Sequence, residues 1–411
     1  MARQSRQNVR NTPRLVGATK EFLLSPRQSI GDWYVNYFRN QTTEFKFLVS
    51  LIFLMVGIGL VMVLSSSNVD SIKSNGNAFY AFGVQSLWAA GGIFVMLFLS
   101  RRSIDQIQKI GLLIFLLGMI TQLLVKVPGV GVSSGGNANW INILGNRFQP
   151  SEFLKLGLIL VIANLLSRKI DFIEDLKESF FPVIFLTVIT VGAVYLLGND
   201  LGTAGVILLI VLFLLFLAGA RMKHLLSYVA GMGLVFLVAS VTSSNRMARI
   251  FSFLSQNTND DTGWQVKHGT WALASGGITG TGIGQAKLNW GWIPEVENDF
   301  IFSTIGEETG LIGACVMLGL FFVLFLLLRK IATVHQDPYV SIVTYGVMLW
   351  IILQALINIG VVLHVMPVLG VPLPFISKGG SSLVAVLMGL GIVLSFERNS
   401  QPAPRVRSRS R

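Results

Sequence analysis

The chain has 411 residues, 52% hydrophobic and 13% charged, with a mean hydropathy of +0.66 and one cysteine, Cys315. Soluble domains carry about 25% charged residues, so a soluble globular protein, a disordered chain and a secreted disulfide scaffold are all excluded. The apolar residues come in blocks of transmembrane length, against the every-second-residue pattern of an outer-membrane barrel, and the net charge of +12 reads as membrane orientation.

The fold class predicted is all-α: a polytopic integral membrane protein of about ten transmembrane helices. Residues 1–46 form a basic N-tail, predicted disordered and cytoplasmic, and too long for a cleavable signal peptide. Residues 47–396 form the membrane domain, with spans at 47–66, 79–99, 108–127, 152–167, 181–198, 201–219, 225–243, 301–328, 340–363 and 380–396. The fifth and sixth are joined by a tight turn at Gly198-Asn199-Asp200. Residues 397–411 form a basic cytoplasmic C-tail. Of the 32 Lys and Arg residues, 23 fall in the tails and the connections sharing their side, which places both termini in the cytoplasm. The tails suit anionic membrane lipid; no nucleic-acid partner is expected.

On the outer side, about 57 residues (244–300) separate spans seven and eight, with smaller loops at 128–151 and 364–379. Long loops in compact proteins are often functional. Asp299 lies where this polar loop becomes an apolar helix, a border at which partial desolvation makes a carboxylate a better base; a plain helix N-terminal charge is the alternative. Glu307 and Glu308 lie two turns further in, where acids are expensive. Asp200 is placed to cap span six or to act on a ligand. Glu152 and Lys155 are one turn apart, as are Arg246 and Arg249; each pair fits either a local role, in pairing or snorkelling, or an anionic ligand. The glycine run Gly276–Gly284 lacks the strand and βαβ setting of a nucleotide loop and reads as a tight re-entrant turn. The four scattered histidines give no metal-ligand spacing. Mg²⁺ or Mn²⁺ held by carboxylates, with Asp299 and Glu307 as candidates, and by substrate phosphates fits the composition; no nucleotide, haem or flavin is expected.

Four outer segments, read together, resemble the SEDS family (shape, elongation, division and sporulation proteins). They are Phe148-Gln149-Pro150-Ser151-Glu152 with Lys155, Asp200-Leu201-Gly202-Thr203-Ala204, Pro294 to Phe302 followed by Gly306-Glu307-Glu308-Thr309-Gly310, and Pro372-Leu373-Pro374-Phe375-Ile376-Ser377 with Gly379-Gly380-Ser381-Ser382. Gly284-Gln285-Ala286-Lys287 and Trp290-Gly291-Trp292 look more like the FtsW division branch than the RodA elongation branch. The resemblance implies a peptidoglycan glycosyltransferase that polymerises lipid II outside the cytoplasmic membrane, at the division septum. It implies a cognate class B penicillin-binding protein and other division-machinery membrane proteins as partners, and Asp299 as the catalytic residue. The chain departs from the family pattern at Asn139 (commonly arginine), Asn199 (proline), Val296-Glu297-Asn298 (Ala-His-Thr) and Lys378 (tyrosine).

Such a transfer needs a base at the acceptor hydroxyl and positive charge at the leaving diphosphate. Asp299 is the expected base. Lys155, Arg246, Arg249, Glu152, Asp200, Ser377 and Lys378 are the expected substrate-binding set, with Lys378 a substitute for the charge lost at Asn139. A flippase for lipid-linked precursors, a RodA-like elongation polymerase and a non-catalytic division scaffold are the alternatives; outward clustering of the carboxylates favours chemistry over transport.

Overall fold

The computed structural model describes residues 41–134, 137–143, 145–173, 175–255, 261–287 and 296–399. Both tails lie almost wholly outside the described residues, as do Asp260, Trp290, Trp292, Pro294 and Glu295.

The membrane helices are α1 (Thr43–Asn75), α2 (Tyr80–Leu99), α3 (Ile104–Leu124), α4 (Pro150–Arg168), α5 (Leu176–Leu197), α6 (Leu201–Leu217), α7 (Met222–Val241), α10 (Ile301–Val334), α11 (Pro338–Val362) and α12 (Gly380–Asn399). Two more, α8 (Ser244–Ser255) and α9 (Asp261–Ser275), lie in the connection between α7 and α10. Among the described residues nine helices are long and apolar enough to cross a membrane. The tenth expected span, α6, is shorter at 17 residues. At 1.5 Å per residue it covers roughly 25 Å, close to the thickness of a hydrocarbon core.

Local chemistry sets the helix ends. Thr42 caps α1 by accepting the Phe45 N–H, which starts the helix four residues before the expected border. Ser103 and Gln106 form a capping box on α3, and Pro150 and Pro338 open α4 and α11 with a pre-set φ. Asp175, just before α5, accepts from the Lys177 and Glu178 N–H groups, which hold its carboxyl below the usual range. The α4, α11 and α12 helices form the centre, where buried residues cover most of the helix surface; α2 and α7 turn Leu87, Phe94, Leu226 and Leu234 outward, as lipid-facing helices do.

The structure adds three features to the expected plan. The loop at 128–151 holds a three-stranded antiparallel sheet, β1 (Gly131–Ser134), β2 (Asn137–Ile143) and β3 (Asn146–Phe148), with Val132 opposite Trp140 and Ile141 opposite Phe148. Its strands carry β-branched and aromatic residues, and Phe148 stacks on Phe153 of α4 with ring centroids 4.9 Å apart. The 244–300 connection is partly helical. In α8, Met247, Ile250, Phe251 and Leu254 follow helical spacing between Arg246 and polar residues, a short amphipathic pattern that a search for transmembrane-length apolar runs passes over. Finally, α10 breaks at Gly310 (φ 68°, ψ −167°), a conformation open to glycine. There Leu311 and Ile312 N–H groups donate to the Gly277 and Ile278 carbonyls, and Thr281 and Gly282 donate to Glu307 and Glu308. The glycine run is thus a turn docked into a helix break.

One end of the bundle gathers the sheet, the α5–α6 turn, α8, residues 296–299 and residues 364–379, joined by the hydrogen bonds described below. At the other end Glu397 of α12 accepts from Thr42 (2.7 Å) and pairs with His335 (3.1 Å), while Ser395 and Asn399 donate to the Arg102 carbonyl.

Candidate functional site

Polar side chains at the first end form three connected groups. The first centres on Asp200, which is 2% exposed. Its Oδ1 accepts the Thr203 N–H (2.9 Å), capping α6; its Oδ2 accepts from the Thr203 hydroxyl (2.8 Å) and from Asn139 Nδ2 (2.8 Å). Asn139 also donates to Ser151 Oγ and accepts from Gln122 Nε2. The amide that stands where the family commonly has arginine is therefore the hub of a buried network tying β2 to α3, α4 and α6. Beside it Asn199 takes φ 54°, a left-handed conformation that asparagine tolerates and proline does not. Arg246 donates to the Asn199 carbonyl and Oδ1, to the Tyr195 hydroxyl and to the Ala239 carbonyl. Arg246 thus faces the protein and anchors α8 to the α5–α6 turn; Arg249, one turn on, is half-buried.

The second group is the pair Glu152–Lys155 on α4, 2.8 Å apart and each 1% exposed. Lys155 Nζ also donates to Gln354 Oε1 (3.0 Å), and Glu152 Oε2 accepts from Ser382 (3.4 Å). A buried charge pair needs such further partners to offset lost hydration.

The third group holds Asp299. Residues 296–299 turn into α10 and lie along the loop 371–378. Asn358 Nδ2, on α11, donates to the Asp299 carbonyl (3.0 Å) and the Val371 carbonyl (2.8 Å). Ser377 Oγ donates to the Asn298 carbonyl (2.6 Å) and accepts the Leu373 N–H. Lys378 meets Glu297 twice, through its N–H to the Glu297 carbonyl (2.9 Å) and through its ammonium to Glu297 Oε1 (2.6 Å). Phe375 in this loop has φ 68° with its ring buried, an unfavourable conformation for a bulky residue that packing must hold. Its carbonyl lies so close to Gly59 of α1 that a Cβ there would collide with it. Asp299 itself is half-buried.

Gln354 and Asn358 join the second and third groups. They lie four apart on α11, so they face the same way. Gln354 accepts from Lys155 and from Trp350 and donates to the Pro372 carbonyl, one residue after the Val371 carbonyl that Asn358 holds. Sequence reasoning missed both. The available signal was two amides at helical spacing in an otherwise apolar run.

Glu307 accepts the Lys287 N–H (2.9 Å), and Ser65 of α1 donates to Glu308. Both acids secure the glycine turn against the break in α10. No three of His, Cys, Asp and Glu converge on one point among the described residues, so these residues build no all-protein cage for Mg²⁺ or Mn²⁺.

The fold and site define an integral membrane protein whose polar machinery is assembled at one membrane face, from segments far apart in the chain. Residues 46–402 match the pattern of the FtsW/RodA/SpoVE cell cycle protein family, and the chain belongs to that family. It is 34% identical over 379 residues to the probable peptidoglycan glycosyltransferase FtsW of Mycobacterium tuberculosis, covering 92% of this chain and 71% of that one. It is 34% identical over 365 residues to the stage V sporulation protein E of Bacillus subtilis, covering 88% and 99%. Among solved structures, a chain from a work on structural coordination of polymerization and crosslinking by a peptidoglycan synthase complex superposes with a TM-score of 0.70 at 27% identity, covering 86% and 97%. The rod shape determining protein RodA of Thermus thermophilus superposes with a TM-score of 0.63 at 25% identity, covering 86% and 97%.

Proposed function

We propose that this chain is a peptidoglycan glycosyltransferase that polymerises lipid II on the outer face of the cytoplasmic membrane, for septal wall synthesis in cell division. The observation that carries the reading is the placement of Asp299. In a chain of this family, a half-buried carboxylate stands at the membrane border, with its backbone held by Asn358 and its neighbours by Ser377 and Lys378.

In the proposed reaction Asp299 takes the proton from the 4-hydroxyl of the acceptor N-acetylglucosamine. The hydroxyl oxygen attacks the anomeric carbon of the donor sugar from the face opposite the lipid diphosphate. The carbon–oxygen bond to the diphosphate breaks with inversion, and the lipid diphosphate leaves with the electron pair. Unlike glycoside hydrolysis, this step needs no acid on the leaving group; it needs positive charge around the departing diphosphate. Lys378 is 40% exposed and borders the Asp299 segment, which suits direct contact. Lys155, Glu152, Asp200, Arg246 and Ser377 face inward and serve by orienting the walls of the site; Arg249 completes the binding set.

Both termini are cytoplasmic in this reading, which puts the Asp299 end outside. The class B penicillin-binding protein that crosslinks the product is the expected partner, in line with the complex from which the solved relative comes, together with other division-machinery membrane proteins and anionic lipid. The test is reconstitution of the purified chain with lipid II, with and without that partner and with Mg²⁺ or Mn²⁺ varied. Glycan ladders that vanish in Asp299→Ala are expected. Wild-type polymerisation by Asp299→Ala contradicts the assignment of the base, and transfer of labelled lipid II across liposomes without ladders identifies a transporter. A C-terminal reporter found in the periplasm overturns the topology.

A further inference from the structure

Glu297 and Lys378 are two separate departures from the family pattern, 81 positions apart, and the structure brings them into contact. We infer that the Glu297–Lys378 ion pair is a positioning element of this chain, which fixes the segment carrying Asp299 against the loop that ends in Ser377. It rests on the glycosyltransferase reading for what it positions, and on geometry alone for the pairing itself.

The two residues are joined through both backbone and side chain, so the contact fixes register as well as distance. The Lys378 N–H reaches the Glu297 carbonyl at 2.9 Å and its ammonium reaches Oε1 at 2.6 Å. The glutamate side chain is 10% exposed and the lysine side chain 40%. Glu297 Oε2 is buried and accepts no hydrogen bond from the described residues. A carboxylate this enclosed depends on its cation partner, because the rest of its hydration is lost. Removing the lysine charge therefore forces Glu297 to move outward toward water, and Asp299 lies two residues along the same turn. Ser377 to the Asn298 carbonyl and Asn358 to the Asp299 carbonyl are neutral bonds to the backbone of this turn, whereas the ion pair grips it by a charged side chain. In proximity terms, a small misplacement of the base costs rate without weakening substrate binding.

The test is a double-mutant cycle in the full-length chain with two readouts. Hydrogen–deuterium exchange over 296–302 reports the turn whether or not the protein polymerises, with exchange in α1 as the check on folding. Glu297→Gln and Lys378→Met each raise exchange over 296–302 and lower kcat for strand formation about tenfold, with KM for lipid II within about twofold in Glu297→Gln, which leaves the lysine charge in place. The double variant is no slower than the worse single, because both remove one interaction. Lys378→Arg, which keeps the charge, stays within about threefold of the wild type. Unchanged exchange over 296–302 in both singles, or rate losses that multiply in the double, overturns the inference. If the wild type makes no polymer, the enzymatic reading fails and the exchange arm alone decides the pair.

Discussion

Asp200 and Asp299 are both aspartates at the site end of an apolar helix, and the protein treats them in opposite ways. Asp200 is sealed: both its oxygens are engaged by Thr203 and Asn139, and the network continues to Gln122 and Ser151. Asp299 is half-buried, and its turn is held in part by bonds to the carbonyls of Asn298 and Asp299 and to Glu297, within a loop-to-loop contact. A buried, fully bonded carboxylate is part of the scaffold, since moving a proton or ligand onto it means breaking the bonds that keep it buried. A partly exposed carboxylate on a turn held through its backbone can meet substrate without unmaking the site. Changes in the sealed region should therefore appear as lost stability, and changes around Asp299 as lost rate.

The largest effect on stability is expected from the deepest charge. Lys155→Met leaves the 1% exposed Glu152 carboxyl without its cation, and should destabilise the chain by about 3–5 kcal/mol, read as thermal unfolding in detergent or nanodiscs. Pairing it with Glu152→Gln should recover much of that loss, because the stranded charge is gone. Asp200→Ala removes the α6 cap and strands Asn139 and Thr203, at a cost of about 1–3 kcal/mol. A loss of polymerisation rate in that variant at full stability would break the contrast drawn between the two aspartates. Asn199→Pro sharpens it from the backbone side. Proline cannot reach φ 54° or donate to the Tyr195 carbonyl, so a loss of more than about 1 kcal/mol is expected, although proline is common there in the family. The smallest effect belongs to the exposed pair Lys169–Glu178, at the opposite end from the site. Lys169→Met should change stability by less than about 1 kcal/mol, since both groups remain hydrated.

Much of the fold is legible in the sequence because lipid imposes it. Long apolar runs have few alternatives to helices, and the turn at Gly198-Asn199-Asp200 sits where the apolar pattern breaks. The sheet at 131–148 and the helix α8 are not legible in the same way. Each is a short element whose pattern is weak next to transmembrane runs, and each is fixed by contacts made elsewhere, Phe148 on Phe153 and Arg246 on Asn199. At the site, the charged residues stand out because charge is scarce, and Asp299, Glu152, Lys155 and Asp200 are all visible for that reason. What they touch is not. Lys155 and Arg246 fit either a local role or an anion contact in sequence, and the structure holds both inward, while Gln354 and Asn358, which couple the groups, carry no charge to draw notice. Pairing between positions 297 and 378 needs the tertiary fold, since nothing local to either residue points at the other.

The division of labour between the two aspartates is tested most directly by the rate of strand formation from lipid II by purified Asp299→Asn and Asp200→Asn, each normalised to folded protein. Asp299→Asn keeps the size of the side chain and removes the base, so its kcat should fall by about 10²–10⁴ with no change in unfolding temperature. Asp200→Asn should remain within about tenfold of the wild type once corrected for the fraction folded. An Asp299→Asn chain that polymerises at close to the wild-type rate, or a folded Asp200→Asn chain that does not polymerise at all, would contradict the account.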